Sequence, residues 1–197
     1  MPPEFLAGRL IRLRPVTASD LELLLDWDAD PTIVETMGHK FVDRSAGEWL
    51  SSLRTQRDCL AWMVEDEEGK TVGELELAHL DWRAGSAELR VCIGDRQRQN
   101  RGYGTDAVRT AVRLAFEGLG LRRVYLRVYL FNTRAIRVYE RVGFRRTGLL
   151  RPIARRNDPA PILLMTLTRA EWERTLYRAQ PGGDGVGTAA LTLTNVH

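Results

Sequence analysis

A short polar segment near the middle of the chain has residues suited to holding a phosphate group. It reads Gln99-Asn100-Arg101-Gly102-Tyr103-Gly104-Thr105 and lies between a strand-like run and a helical one. Glycines let successive backbone N–H groups turn toward one point, and a helix that begins near Thr105 adds the positive end of its dipole. The segment therefore predicts a phosphate-binding loop.

Two well-known nucleotide motifs do not fit this segment. The dinucleotide fingerprint accepts Ala107 as its third small residue, but Arg122 and Arg123 stand where it expects an acidic residue. A Walker loop requires Gly-Lys-Ser/Thr, which the segment lacks. On its two glycines alone, an ordinary strand-to-helix loop is the favoured interpretation.

The elements that position this loop predict a mixed sheet. A strand over 87–93 enters the loop, and a helix over 106–119 follows it. Further strands are predicted over 9–14, 60–64, 71–77, 124–130, 144–150 and 162–167, and further helices from Leu21 and over 45–57, 133–142 and 170–178. Hairpins followed by a β-α-β crossover indicate an α/β (α+β) fold, with a largely antiparallel sheet of about seven strands flanked by helices.

Length and composition indicate one domain. The 197 residues, 44% hydrophobic and 28% charged, are enough for one buried core. We predict a single domain over 1–180 and a separate Gly-rich tail over 181–197. Within this tail, Leu191-Thr192-Leu193-Thr194 alternates like a strand that pairs with a sheet edge.

Charge and cysteine content argue against several classes of protein. The 29 basic and 26 acidic residues give a mixed surface, so we expect no nucleic-acid partner. No apolar run approaches the roughly 18 residues of a membrane span, and no signal-like segment is found, which predicts a cytoplasmic protein without a membrane partner. Cys59 and Cys92 have no histidines nearby and are predicted to be reduced core residues, so we expect no metal.

The phosphate loop also carries a family resemblance. Its pattern Gln99-x-x-Gly102-x-Gly104 resembles the Q/R-x-x-G-x-G/A pyrophosphate loop of the GNAT superfamily of N-acetyltransferases. Family loops often have glycine where Asn100 stands. Asn is the non-glycine residue most tolerant of left-handed backbone angles, so the loop is predicted to close in the same way.

A second motif follows in the same order as in the family. Asn132-Thr133-Arg134-Ala135 and the run Tyr139-Glu140-Arg141-Val142-Gly143-Phe144 resemble the superfamily's N-x-x-A/S and Y-x-x-x-G-F motifs. The resemblance spans roughly 9–172 and is strongest for the branch with ribosomal-protein N-terminal acetyltransferases and spermidine acetyltransferases.

The resemblance implies acetyl-CoA as the co-substrate. It implies that the strand before the loop splays from its neighbour and binds the pantetheine arm through the backbone of Val91, Cys92 and Ile93. The loop residues that would bind the pyrophosphate are Gln99, Asn100, Arg101, Gly102, Tyr103, Gly104 and Thr105. Asn132 would contact the cofactor arm, although asparagine there also suits a helix cap. Arg134 and Arg137 are interpreted as solvated.

The resemblance also implies catalytic roles. Tyr139 matches the family tyrosine that faces the coenzyme sulfur and is predicted to be the general acid, with core packing as the alternative. Glu88 is the predicted base, directly or through water, and Glu74 and Glu76 are the alternatives.

The function implied is acetyl transfer within a ternary complex to a primary amine, either a protein N-terminus or a small cationic amine such as a polyamine. The acidic residues Asp26, Asp28, Asp30 and Glu35 suit a cationic acceptor, and a solvated helix face explains them equally well. A non-catalytic acyl-CoA-binding or sensor domain is the alternative. Sheet edges and the strand-like tail make a homodimer a reasonable expectation.

Overall fold

The computed structural model describes residues 6–37, 45–55, 58–150 and 160–179. Eight strands lie in these ranges: β1 Leu6–Ala7, β2 Ile11–Pro15, β3 Leu60–Asp66, β4 Thr71–Asp81, β5 Ser86–Cys92, β6 Arg123–Tyr129, β7 Arg145–Leu150 and β8 Ile162–Thr168. Six α-helices accompany them: α1 Leu21–Ala29, α2 Pro31–Met37, α3 Ala46–Thr55, α4 Tyr103–Arg113, α5 Thr133–Val142 and α6 Arg169–Ala179.

The strands form one sheet in the order β1-β2-β3-β4-β5-β6-β8-β7. Every neighbouring pair is antiparallel apart from β5 and β6, which run parallel. Parallel neighbours need a crossover connection, and α4 supplies it. The sheet is therefore mixed and mostly antiparallel, as the sequence predicts.

Helices cover both faces of this sheet. On the face we call the front, α1, α2 and α3 pack on Met63 and Cys92 through Leu24, Trp27, Ile33, Trp49 and Leu50. On the opposite, back face, α4, α5 and α6 contribute Ala107, Ile136 and Trp172 to the larger core. Strand β6 shows the alternation that this arrangement requires, because Val124, Leu126 and Val128 are buried and the residues between them are more exposed.

Buried carboxylates hold two helices at their sites on the sheet. Asp20 accepts two hydrogen bonds of 2.7 Å from Arg14, and this pairing fixes the start of α1 to β2. Asp106 in α4 accepts hydrogen bonds from the backbone N–H of Leu10 at 2.7 Å and of Ile11 at 3.2 Å. Since the first turn of α4 follows the phosphate loop directly, Asp106 also anchors that loop to the sheet.

The sequence predictions of fold differ from the structure in detail. Strand β1 and helix α2 were not predicted, and β1 makes the sheet eight-stranded rather than about seven-stranded. A two-residue strand has no readable alternation, and the seven residues of α2 follow α1 after a single residue. Helix α4 begins at Tyr103 rather than Asp106. The predicted tail over 181–197 lies outside the described residues, so the domain boundary stays a prediction.

Candidate active site

The phosphate loop is shaped by two left-handed residues. Asn100 has φ 65° and Gly102 has φ 91°, and α4 begins directly afterwards at Tyr103. The left-handed conformation predicted for Asn100 is therefore confirmed. A Cβ atom at Gly102 would lie 3.2 Å from Leu10 Cδ1, a tight contact added to an unfavourable backbone angle. The loop thus requires glycine at 102 for its own backbone.

Ion pairs hold the approach to this loop. Lys70 Nζ lies 2.6 Å from Asp95 Oδ2, and this contact lowers the pKa of Asp95 below its ordinary value. Arg98 pairs with Asp66 at 2.8 Å and with Glu68 at 2.7 Å. Because Arg98 is paired with two carboxylates, it stabilises the segment that leads into the phosphate loop. Tyr103 is buried in the larger core, which leaves its backbone rather than its ring at the loop.

Strands β5 and β6 are hydrogen-bonded over only the first half of their length. Their pairing comprises Ser86 with Arg123, Ala87 with Val124 and Glu88 with Tyr125. Beyond this point, β5 continues to Cys92 beside β4, and β6 continues to Tyr129 beside β8. Residues 89–92 and 126–129 therefore diverge, and we call the opening between them the split. The splayed strand that the family resemblance implies is confirmed.

Side chains bridge the open end of the split. Gln99 Nε2 donates to the backbone carbonyl of Ile93 at 2.9 Å, and Gln99 Oε1 accepts from Arg134 Nη1 at 3.0 Å. These bonds connect the end of β5, the phosphate loop and the first turn of α5. Arg134 is exposed, as predicted, but it also contacts the loop, which its interpretation as a purely solvated residue did not include.

Tyr139 lies in α5 with a relative exposure of 7%. Its ring packs edge-on against Phe144 with the centroids 6.0 Å apart. Burial, followed by the nearby Cys92, raises the pKa of Tyr139 far above its ordinary value. Because Cys92 belongs to β5, Tyr139 lies beside the diverging part of that strand. The hydroxyl stays protonated in the neutral range, and its raised pKa makes it a weaker acid than an exposed tyrosine.

Asn132 is the N-cap of α5. Its Oδ1 accepts a hydrogen bond from the backbone N–H of Ala135 at 3.1 Å. The structure therefore shows the helix-cap role that was the alternative interpretation for this residue. The cap uses the amide oxygen and not the NH₂ group, so the predicted contact with a cofactor stays a prediction.

A cluster of charged side chains lies where β5 and β6 separate. Glu88 is 2% exposed and accepts hydrogen bonds from Arg127 Nε at 2.7 Å, Arg127 Nη2 at 3.1 Å and Arg90 Nη2 at 3.0 Å. His79 Nε2 lies 3.5 Å from Glu88 Oε2 and 3.1 Å from Arg90 Nη2. We call these four residues the charge cluster. Glu88, Arg90 and Cys92 follow one another at two-residue intervals, so all three lie on the front-facing side of β5.

Two opposing effects set the acidity of Glu88. Burial acts to raise its pKa, but the hydrogen bond from Arg127 and the charges of Arg90 and Arg127 outweigh it. The pKa of Glu88 therefore lies below its ordinary value. Both carboxylate oxygens are already hydrogen-bonded, which makes Glu88 a weak base. Of the alternatives, Glu76 is buried with Oε2 3.8 Å from Arg90 Nη1, and Glu74 pairs with Cys92 across the strands.

Helix α1 reaches the strand end beside the phosphate loop. A Cβ atom on Gly94 would overlap the ring of Trp27, so glycine at 94 lets α1 approach β5 closely. Arg96 donates to Thr32 Oγ1 at 3.0 and 2.6 Å and lies 3.4 Å from Asp30, which ties the α1–α2 junction to the same region. Asp30 is thereby engaged in an intramolecular ion pair with Arg96.

Comparison with protein families identifies this arrangement. The model of the acetyltransferase (GNAT) domain matches residues 10–145, which include the phosphate loop, the split, Asn132 and Tyr139. The chain belongs to the GNAT acetyltransferase family. The family resemblance and the expectation of an acetyl-CoA-dependent N-acyltransferase are thus confirmed.

Similar GNAT proteins include enzymes with different acceptors. The chain is 30% identical over 89 residues to a spermidine N(1)-acetyltransferase of Vibrio cholerae serotype O1, an alignment that covers 45% of this chain and about half, 51%, of that protein. It is 27% identical over 157 residues to a phosphinothricin N-acetyltransferase of Streptomyces viridochromogenes, covering 77% of this chain and 81% of the relative.

Solved GNAT structures share the fold. The spermidine N-acetyltransferase of Vibrio cholerae in complex with CoA and spermine superposes with a TM-score of 0.74 at 21% identity, over 83% of this chain and 98% of that one. A GNAT-family acetyltransferase from Bacillus anthracis gives a TM-score of 0.72 at 18% identity, over 85% and 99%.

Several residues of this GNAT site were not predicted from the sequence. Arg90, Arg127 and His79 form the charge cluster, but their partner Glu88 was considered alone. A signal was present: Arg90 follows Glu88 by two residues, and Arg127 follows Tyr125 by two, so each pair shares a strand face. The sequence did not show that these two faces meet.

Neither a membrane-spanning helix nor a metal-ligand group is found in the described residue ranges. None of the helices in these ranges is both long and apolar enough to cross a membrane. Within the same ranges, no three His, Cys, Asp or Glu side chains are grouped to hold a metal ion. Of the two cysteines, Cys92 is buried and Cys59 is half-buried, and neither forms a disulfide in the described part of the chain.

Proposed function

We propose that the chain transfers the acetyl group of acetyl-CoA directly to a primary amine, with Tyr139 as the general acid. The observation that carries this proposal is the position of Tyr139, a buried tyrosine close to Cys92 on the diverging part of β5 in a GNAT fold. A general acid needs a proton at neutral pH and a place next to the leaving group.

The phosphate loop and the split would hold the cofactor. The backbone N–H groups at the start of α4, after Gly102, suit the pyrophosphate, and Gln99, Asn100, Arg101, Tyr103, Gly104 and Thr105 make up the rest of the loop. The backbone of Val91, Cys92 and Ile93 would bind the pantetheine arm. Gln99 donates to one lone pair of the Ile93 carbonyl oxygen, and its second lone pair can accept a hydrogen bond from pantetheine.

The chemistry joins these parts. The neutral amine attacks the thioester carbonyl, a C–N bond forms and the C–S bond breaks. The thiolate takes the proton of Tyr139, while the nitrogen loses its extra proton to a base or to water. Tyr139 recovers its proton from solvent, so the enzyme returns to its starting state. Holding amine and thioester together in a ternary complex supplies the orientation that such a reaction needs.

Glu88 stays the predicted base, and its surroundings define how it can act. Its lowered pKa and its three arginine hydrogen bonds reduce its capacity to take a proton directly. The route through a water molecule, with Glu88 orienting that water, is therefore the one we propose. Glu74 and Glu76 lie on the neighbouring strand β4 and are the alternatives.

The acceptor is a primary amine on a protein N-terminus or on a small cationic molecule. Relatives that are named for spermidine and for phosphinothricin acetylation support a nitrogen acceptor. A turnover assay tests the proposal: release of free CoA thiol is followed with peptides of different N-termini, polyamines, amino acids and aminoglycosides. Mass spectrometry of the products then locates the acetyl group.

A binding measurement separates the enzyme from the non-catalytic alternative. Acetyl-CoA should raise the melting temperature, whereas NADH and ATP should not, because a ligand that binds only the folded state adds stability. A shift with acetyl-CoA but no turnover with any amine would indicate an acyl-CoA-binding domain. Acetylation confined to oxygen or sulfur nucleophiles would reject the amine acceptor.

A further inference from the structure

Two arginines lie just past the point where the strands part. Arg90 is two residues beyond Glu88 on β5, and Arg127 is two residues beyond Tyr125 on β6. Both donate to the carboxylate of Glu88, so both side chains lie on the front of the sheet, one on each side of the split. Their guanidinium groups are thereby fixed next to the opening that would contain the thioester.

Glu88 holds these arginines but does not use all their donors. The bonds from Arg127 to Glu88 use Nε and Nη2 and not Nη1. A guanidinium group carries five N–H donors in a rigid plane, so further donors are available to a ligand. The side chains of Arg90 and Arg127 are 39% and 40% exposed, although Glu88 itself is buried. The accessible part of the cluster is therefore its cationic part.

The balance of charge distinguishes the two arginines. Arg90 also lies 3.8 Å from Glu76, so two carboxylates share it. Arg127 pairs with Glu88, which it shares with Arg90 and with His79 at 3.5 Å. Arg127 therefore faces one carboxylate, whereas Arg90 faces two. Helix α2 lies near β6 as well.

We infer that the acceptor amine carries an oxyanion close to its nitrogen, and that Arg127, aided by Arg90, binds this oxyanion at the front of the split. This inference rests on the proposed acetyl transfer and narrows its acceptor to amines with a carboxylate or a similar group. An arginine fork binds a carboxylate through two parallel hydrogen bonds, which fixes orientation as well as charge. A polyamine, in contrast, would meet two exposed cations.

The first test needs no variant. Purified chain and acetyl-CoA are given matched acceptors that differ in one negative charge: amino acids against their amides, and peptides with Glu against Gln as the second residue. The two arms separate a free carboxylate from a peptide side chain. We expect kcat/KM to be at least about tenfold higher for the charged member in one arm. Equal rates, or faster reaction of the uncharged members and of polyamines, would overturn the inference.

The second test assigns the preference to Arg127. Arg127→Gln should abolish the preference, mainly through a higher KM for the charged acceptor, and Arg127→Lys should restore part of it. Arg123→Gln is the matched control, because Arg123 lies on the same face of β6 on the closed side of the split. If Arg123→Gln removed the preference as fully as Arg127→Gln, general surface charge would explain it, and Arg127 would not be the binding residue.

The outcomes also separate the inference from the function on which it rests. Acetylation of many amines without a charge preference would overturn the inference and leave the proposed function standing. Binding of acetyl-CoA without acetylation of any amine would overturn the proposed function, and the inference with it.

Discussion

The phosphate loop at the open end of the split is shaped by backbone angles, whereas the charge cluster on the front face of the sheet is formed by side chains from three strands. In this loop, Asn100 and Gly102 have left-handed backbone conformations. At the front face, His79, Arg90 and Arg127 come from β4, β5 and β6 and meet on Glu88. A site that binds its ligand through backbone groups depends on the spacing of glycines. A site formed by side chains can differ from one relative to another as the acceptor changes.

The largest effect is expected at Tyr139, which lies close to Cys92 on the diverging part of β5. Tyr139→Phe removes one oxygen and keeps the ring against Phe144, so stability and acetyl-CoA affinity should hardly change. General acid catalysis typically contributes about 100- to 10,000-fold, which is the expected loss in kcat. Steady-state kinetics on the best amine acceptor, together with the melting temperature, measure both quantities.

Ile136→Val is the matched control for this variant. Ile136 is buried on the same helix, and the substitution should cost about 0.5–1.5 kcal/mol without touching the hydroxyl. We expect a lower melting temperature and parental kcat. If Tyr139→Phe behaved in the same way, Tyr139 would be a packing residue and would leave the mechanism.

The next effect concerns the open end alone. Gly102→Val must adopt φ 91° against a β-branched side chain, at a cost of roughly 1–3 kcal/mol, or must leave that conformation. Either way the loop loses its shape, and the Kd for acetyl-CoA should rise about 10- to 100-fold. Isothermal titration calorimetry measures this change directly.

A control separates backbone strain from loss of the ligand site. Gly120 has φ 69° at the far end of the α4 segment, with no atom within 4 Å of a built Cβ. Gly120→Val should therefore lower stability by a similar mechanism and leave the Kd for acetyl-CoA unchanged. Equal loss of affinity in both variants would show that the phosphate-loop assignment is wrong.

The same difference explains how much the sequence could predict. The shape of the phosphate loop was predictable because Gly102 and Gly104 lie within one segment, and because Asn100 tolerates left-handed angles at a position where family loops often have glycine. The charge cluster was not, because Glu88 and Arg127 are 39 positions apart and meet only through the parallel pairing of β5 with β6. The split that separates those strands is a tertiary feature, and it was expected from the family resemblance rather than from the residues.

The substitution Glu88→Gln changes the charge cluster on the front face and leaves the phosphate loop unchanged. This change leaves two arginines without their shared charge. Because both are about 40% exposed and retain water, we expect a loss of about 1–2 kcal/mol rather than the larger cost of a fully buried pair. Acetyl-CoA affinity should stay parental. A base role predicts in addition a fall in kcat and the loss of an acidic limb from the pH–rate profile.

The pH dependence of stability gives a second readout of Glu88. Since its folded-state pKa is lowered, its contribution is fully present above the unfolded pKa and is lost as the pH falls through the folded value. The difference in free energy of unfolding between parent and Glu88→Gln should therefore shrink on acidification below the ordinary range of Glu. A difference that stays constant down to strong acid would contradict the ion pairing seen here.

The smallest effect tests whether side chains matter at the open end at all. Arg134 donates to Gln99 at 3.0 Å, and Gln99 in turn donates to the Ile93 carbonyl. Arg134 is exposed, and exposed polar pairs typically contribute about 0.2–1 kcal/mol. Arg134→Gln should therefore raise the Kd for acetyl-CoA by about 1.5- to 5-fold, through a less ordered Gln99. The same calorimetric titration, repeated at high salt, measures this effect.

Arg137→Gln provides the matched comparison for that last variant. Arg137 is exposed on the same helix and loses the same charge, so it reports any general attraction of α5 for an anionic cofactor. If the contact with Gln99 is responsible, Arg137→Gln keeps the parental Kd and the effect of Arg134→Gln persists when salt screens long-range charge. Equal losses that vanish together at high salt would instead mean that Arg134 acts as a diffuse positive charge. In that case the open end would depend on its backbone alone, and the contrast with the charge cluster on the front face would be sharper.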